Sequence, residues 1–368
     1  MSLSEFDGYR PPREGGRRKK RRGTPPPASV RRGGLDGSRE VSMVEDVQFT
    51  SYYGRQIVKA PPWKYPIGVY LFLGGVAGSS GLIALGADLT GRTELRRNAR
   101  IGSIVALGLG TAGLIEDLGR PERFLHMLRT FKPTSPMNLG TWILTGYGMG
   151  AGVTFANEVD RMLGNKLPIG PLRPLARALE KPAMVQQAAF GAPLAAYTAV
   201  LLGDSSIPAW NGARRSMPFL FVSSASLAAS GMSMITTPTR EIRPVQILAL
   251  AGVMGDMLSL RAMKREMHPL EFEPLDQGRG GKKMHLAEKL LIVGGVGALF
   301  ARKHRAIAIA SGACLAAASA LTRFGILDAG FDSAADPKYT VIPQKDRLAK
   351  RRAQGITGDS IVTGPSDD

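Results

Sequence analysis

The 368-residue chain has one cysteine, Cys314, and four histidines. A single thiol excludes a disulfide framework, and any zinc or iron–sulfur site built from the chain's own cysteines. His126, His268 and His304 fall in connecting segments, and His285 sits at the start of an apolar run. No histidine pair lies where axial haem ligation inside a helix bundle requires it. Residues 1–60 hold no apolar stretch able to form a signal-peptide core, and the paired arginines near residue 17 lack the one a twin-arginine signal needs. Acidic residues are outnumbered, 30 against 48 basic, for a net charge of +18.

Such a balance fits a nucleic-acid binder or a membrane protein whose charge flanks its spans. The near-zero mean hydropathy, −0.03, averages two populations. Residues 1–65 carry fourteen basic residues and 323–368 carry seven. Between them lie eight apolar runs, at 66–88, 101–117, 139–158, 182–203, 217–236, 244–260, 285–301 and 306–322. About 20 apolar residues cross a bilayer as a helix, and the unbroken runs exclude the alternation of a membrane barrel. The expected fold is an all-α integral membrane protein of eight transmembrane helices, arranged as two four-helix bundles. The expected divisions are a disordered basic tail over 1–62, a membrane domain over 63–325 and a loosely ordered C-terminal tail over 326–368. Gly74 and Gly78, like Gly146 and Gly150, are four apart, a spacing that lets membrane helices pack closely.

Eight spans put both termini on one side. Loops on that side carry twelve Lys and Arg, and those on the other carry fourteen, so loop charge does not orient the chain. The basic tails, with Arg55, Lys59 and Lys64 next to the first span, place both termini in the cytoplasm by the positive-inside rule.

Ionisable residues at membrane depth are costly and therefore candidates for function. They are Asp88, Glu116, Asp117, Asp204, Asp256, Glu288 and Lys289. Asp256 is the deepest and is either a proton-relay group or the partner of a polar neighbour. Glu288 and Lys289, one turn into the seventh run, either face a cavity or snorkel outward; Glu288 joins Asp256 as the expected proton pathway. The connector Leu114–Trp142, LIEDLGRPERFLHMLRTFKPTSPMNLGTW, gathers Asp117, Arg120, Arg123, His126 and Arg129. It is either a positive-inside loop or a docking surface.

Three segments carry a resemblance. DLGRPERFLHMLR with SPMNLGTW, WKYPIGVYLFLGGVAGS at the first run, and AAYTAVLLGDSSIPAWNGARRSMPFLFVSSA over Ala195–Ala225 resemble the NrfD, or polysulfide reductase, membrane-subunit family. The likeness runs in order over about residues 60–325; the long basic N-terminal tail is outside it. It implies a haem-free membrane subunit exchanging electrons between quinone, menaquinone or ubiquinone, and a ferredoxin-like 4Fe–4S partner. A molybdopterin oxidoreductase, such as a formate dehydrogenase, would complete the complex. Scarce cysteine agrees that the electron relay belongs to partners. The expected topology brings Tyr70, Asp117 and Tyr197 to one membrane boundary. The resemblance makes Tyr70 and Tyr197 ligands of the quinone head group and Asp117 the acidic residue of that site. Tyrosine hydroxyls donate to quinone carbonyls and a carboxylate moves protons; without the resemblance, both tyrosines read as an interfacial aromatic belt. At the same boundary Arg120, Arg123, Trp210, Asn211, Arg214 and Arg215 are expected to dock the iron–sulfur partner. No metal site and no nucleic-acid partner are expected; membrane lipid is.

Two other readings stay open. One is a secondary transporter or proton-translocating subunit built on Asp256, Glu288 and the glycine-rich helices. The other is a membrane-anchored binder of nucleic acid or anionic lipid acting through the tail.

Overall fold

The computed structural model describes residues 56–355 apart from Pro62, Lys64, residues 118–121 and Ile169. Most of the expected N-terminal tail, Arg120 and residues 356–368 lie outside the described residues. The chain divides into one unit over Gln56–Leu348 and a second made of Met1–Arg55 with Ala349–Asp368. Of the second, only residues 349–355 are described, and they end a helix.

The helices are α1 (Tyr65–Leu89), α2 (Thr93–Asp117), α3 (Glu122–Met127), α4 (Pro136–Met162), α5 (Leu172–Gly203) and α6 (Pro208–Gly212). Then come α7 (Met217–Thr236), α8 (Arg243–Glu266), α9 (Pro269–Asp276), α10 (Gly278–Phe300), α11 (Arg305–Ala335) and α12 (Lys338–Ala353). No strand occurs among the described residues. Prolines open many of the helices, because Pro136, Pro208, Pro218, Pro244 and Pro269 occupy first-turn positions where a backbone donor has no helical partner anyway. Gly91, at φ +66°, lets the chain reverse between α1 and α2.

All eight apolar runs are helical. Six of the helices, α1, α2, α5, α7, α8 and α11, are long and apolar enough to cross a membrane. Helices α4 and α10 are not among these six; Glu158, Asp160 and Arg161 lie in α4, and Lys282, Lys283, Glu288 and Lys289 in α10.

Helix α1 is the most enclosed and packs on α2, α5 and α7, while α4 packs on α5 and α2. In the later part α7 packs on α8 and α11, and α10 packs on α11 and α8. Two crossings bring a glycine of one helix against a glycine of another. A Cβ on Gly78 would lie 2.4 Å from the Gly191 carbonyl oxygen, which closes α1 on α5. A Cβ on Gly231 would lie 2.4 Å from the Gly312 carbonyl oxygen, which closes α7 on α11. Outward faces of α2, α8 and α10 present Val105, Leu109, Ile247, Met254, Leu258, Val293 and Val296, apolar residues suited to lipid.

The described residues after 325 are largely helical. Helix α11 continues to Ala335 and buries Ile326, Leu327, Ala329 and Ala334 in a cluster with Trp210. Helix α12 is tied to α9: the Lys338 ammonium and the Tyr339 hydroxyl both donate to Glu273, at 2.9 and 3.1 Å, and Arg347 donates to Glu271 at 2.8 Å. His268 and Asp346 add a contact at 3.0 Å. Charge content hid this order, since α12 is stabilised by ion pairs rather than by an apolar run.

Candidate functional site

Three sequence-selected residues from three helices meet in one cleft. Tyr70 of α1, Asp117 of α2 and Tyr197 of α5 line it, with Trp63, Leu71, Met127, Thr141 and Leu202 among its apolar and weakly polar walls. The Tyr70 hydroxyl is buried in its wall and has no hydrogen-bond partner among the described residues. Glycines make room for both rings. A Cβ on Gly140 of α4 would fall 2.2 Å from the Tyr197 ring, and one on Gly110 of α2 would fall 3.5 Å from the Tyr70 ring.

The connector that carried the resemblance forms one wall. Ser135 caps α4 by accepting from the Asn138 amide at 3.5 Å. The Asn138 side chain donates to the carbonyls of Met127 and Thr130, at 2.8 and 3.0 Å, and accepts from the Lys132 amide at 2.7 Å. The Trp142 indole donates to Thr130 at 3.1 Å. Asn138 and Trp142 thus clasp the 127–132 segment onto α4, with Met127 in the cleft wall.

The docking residues divide. Trp210 is fully buried, so it cannot meet a partner, and its expected docking role is corrected. Its ring stacks on Trp63 at 5.5 Å, its indole donates to the Ile326 carbonyl at 2.7 Å, and Gly330 lies flush against it. Asn211 is spent on the loop, donating to the carbonyls of Gly203 and Ser205 at 3.1 Å each. Arg214 and Arg215 are exposed. Arg123 belongs to α3, and its side chain is outside the described residues.

Asp256 and Glu288 share a second cavity, lined also by Arg261, Met284 and Thr322. Beside it lies Arg323, counted from the sequence with the basic residues that follow the last run. It is fully buried, its guanidinium lies 3.7 Å from the Phe221 ring centroid, and one nitrogen donates to the Phe221 carbonyl at 2.6 Å.

A third group also escaped sequence reading. At the end of the α1–α5 set away from the cleft, Arg100 is fully buried and donates to Glu158 at 2.8 Å and Glu180 at 2.7 Å. Arg96 joins Asp88 and Glu158, and Arg161 joins Glu158 and Glu180. Inward of it, Gln187 donates to Ser103 at 2.9 Å and Tyr147 at 3.2 Å, and the Tyr147 hydroxyl bonds the Ala77 carbonyl. Arg96, Arg100 and Arg161 looked like loop charges because they sit beyond the apolar runs. Among the described residues, no three His, Cys, Asp or Glu side chains gather as a metal site.

The sequence pattern of polysulphide reductase, NrfD, matches residues 55–262. The chain belongs to the NrfD family. The C subunit of polysulfide reductase from Wolinella succinogenes is 28% identical over 184 residues, which is 47% of this chain. The alignment spans 57% of that relative, little more than half its length. The NrfD match covers the whole cleft and ends inside α8. Family and spans together make the chain a multi-pass membrane protein.

Proposed function

We propose that this NrfD-family chain is the quinone-reactive membrane subunit of a redox complex, passing electrons between the quinone pool and an iron–sulfur partner. It would cross the membrane eight times as two four-helix bundles, with both termini cytoplasmic, and a molybdopterin oxidoreductase would complete the assembly. The observation that carries this reading is the convergence of Tyr70, Asp117 and Tyr197 on one largely apolar cleft.

Reducing a quinone to a quinol takes two electrons and two protons. The Tyr70 and Tyr197 hydroxyls donate hydrogen bonds to the ring oxygens and orient the head group. Asp117, at the end of α2, passes protons between the ring oxygen and the aqueous boundary. Leu71, Met127 and Leu202 exclude water from the ring and receive the start of the tail. Electrons enter or leave through a partner's cluster docked at the boundary that presents Arg214 and Arg215.

The test is binding of a quinol analogue to the purified protein, followed by tryptophan fluorescence with Trp63 in the cleft wall, together with quinol oxidation by the complex. Native binding that Tyr70→Phe and Asp117→Asn both weaken supports the reading. Binding and turnover unchanged in both variants would remove it.

A further inference from the structure

Two sets of helices pack in the same pairwise order: α1 on α2 and α5 with α4 on α5, and α7 on α8 and α11 with α10 on α11. The cleft lies among α1, the C-terminal ends of α2 and α5 and the N-terminal end of α4, where Gly78 and Gly191 close α1 on α5. The Asp256 cavity lies among the C-terminal halves of α8 and α11 and the N-terminal half of α10, where Gly231 and Gly312 close α7 on α11. The later cavity thus lies at helix ends that correspond, in this packing order, to those around the cleft. Its chemistry differs: carboxylates and guanidinium groups stand where the cleft has aromatic hydroxyls.

Three buried polar atoms here have no hydrogen-bond partner among the described residues: Asp256 Oδ2, and Nε and Nη1 of Arg323. Asp256 is only 7% exposed and lies ten residues before the end of α8, roughly 15 Å into the helix. A buried carboxylate so placed must be paired, hydrated or protonated, because an isolated charge in a low dielectric is far too costly. It makes no direct ion pair with Arg323 within 4 Å among the described residues. The cavity between the helices sets Asp256, Arg261, Glu288 and Thr322 among apolar walls and has room for a few water molecules. Its mouth is lined by Glu288 and Arg261, both exposed.

Charge decides what the cavity takes. Arg323 faces Asp256 from α11, Glu288 from α10 and Arg261 from one turn on in α8. Helix α7, packed on α8, contains no ionisable residue. On α1, Asp88 is engaged by Arg96, and on α9, Glu271 and Glu273 are engaged by Arg347 and Lys338. Two carboxylates against two guanidinium groups leave no net charge to draw a metal cation or an anion.

We propose that this cavity is a hydrated proton-exchange site, with Asp256 as the proton carrier, Arg323 as its fixed counter-charge and Glu288 as the group at the mouth. In the uptake step an O–H bond forms at Asp256 as an O–H bond of a protonated water breaks. Glu288 supplies that proton from the mouth or receives it on release, and no electrons move. Arg323 also lies against α1, since a Cβ on Gly75 would fall 3.2 Å from its Nη2. Gly75 is five residues from Tyr70, so a shift of α1 reaches this counter-charge directly.

The test uses the full chain in lipid nanodiscs and infrared spectra titrated with pH in H₂O and D₂O. The expected result is a protonated-carboxyl stretch that titrates reversibly, moves in D₂O and disappears in Asp256→Asn. Glu288→Gln, a change at an exposed position, slows its deuterium exchange roughly a hundredfold. Carbodiimide labelling of the native protein, read by mass spectrometry, needs no variant and marks Asp256 more strongly at low pH. No titrating stretch with no labelling of Asp256, a stretch that survives Asp256→Asn, or exchange as fast in Glu288→Gln as in the native chain overturns the assignment. Neither readout involves quinone, so failure here and failure of the quinone reading are separable.

Discussion

The rings of Tyr70 and Tyr197 meet edge to face, 6.5 Å between centroids at 63°. They come from α1 and α5, which touch because Gly78 and Gly191 bring their backbones together two turns deeper. A pair so held presents two hydroxyls to one cleft without either side chain reaching for the other.

Tyr70→Phe deletes a hydroxyl that has no partner among the described residues. Binding of a quinol analogue should weaken about threefold to tenfold, the net value of one hydrogen bond at ~1 kcal/mol. The thermal midpoint should not fall, because no protein hydrogen bond is lost. Fluorescence titration and thermal unfolding of the same sample check both halves.

Arg100→Met leaves Glu158 and Glu180 buried with one fewer cation between them. Removing one partner of a buried pair costs ~3–5 kcal/mol, so the variant should unfold at much lower temperature or fail to accumulate. Glu158→Gln with Arg100→Met should recover part of the loss. A midpoint within about a degree of native for Arg100→Met would show the group to be energetically idle.

Gly78→Ala forces a methyl against the Gly191 carbonyl, and over-packing of this kind costs ~1–3 kcal/mol. Gly86→Ala on the same helix meets nothing within 4 Å and should be neutral. Quinol-analogue affinity should fall with Gly78→Ala alone, because the α1–α5 crossing sets the distance from Tyr70 to Tyr197.

Trp210→Ala should cost ~3–5 kcal/mol as a buried truncation. Arg214→Glu with Arg215→Glu should leave stability within ~0.5 kcal/mol while weakening co-purification of an iron–sulfur partner. Thermal unfolding beside pull-down separates the packed residue from the exposed pair.

Glu273 is held below its ordinary 4.5, first by the hydrogen bond from Lys338 and also by that from Tyr339, against a smaller cost of partial burial. A lowered carboxylate stabilises the folded arrangement fully above its unfolded value and loses that contribution as pH falls through the folded one. Residues 338–348 should therefore stay protected from hydrogen exchange at neutral pH and open below the ordinary carboxylate range. In Glu273→Gln the Lys338 contact is weak at every pH, so the acid-dependent part of the opening should shrink, leaving what the Arg347–Glu271 and His268–Asp346 contacts supply.

Sequence reading located the eight helices that contain the apolar runs, because a bilayer-length apolar run has few other ways to satisfy its backbone. It also located Tyr70, Asp117 and Tyr197, through segments that carry a family pattern. It missed α12 and the last turns of α11, which are held by contacts to α9 and to Trp210 rather than by hydropathy. It missed Arg100 and Arg323 for the same reason: one arginine in a sequence is identical whether it snorkels or is buried against carboxylates.

By itself, then, the sequence determined the all-helical class, the membrane environment and the family. Those depend on composition and on runs of neighbours along the chain. Only the tertiary structure decided which residues share a cavity, that Trp210 is packing and not surface, and that Gly140 exists to admit the Tyr197 ring. Helical periodicity assigns a residue to a face of its own helix, but the facing partner is chosen by where backbones can approach. In this chain those places are single glycines, whose role is invisible until the carbonyl opposite them is known.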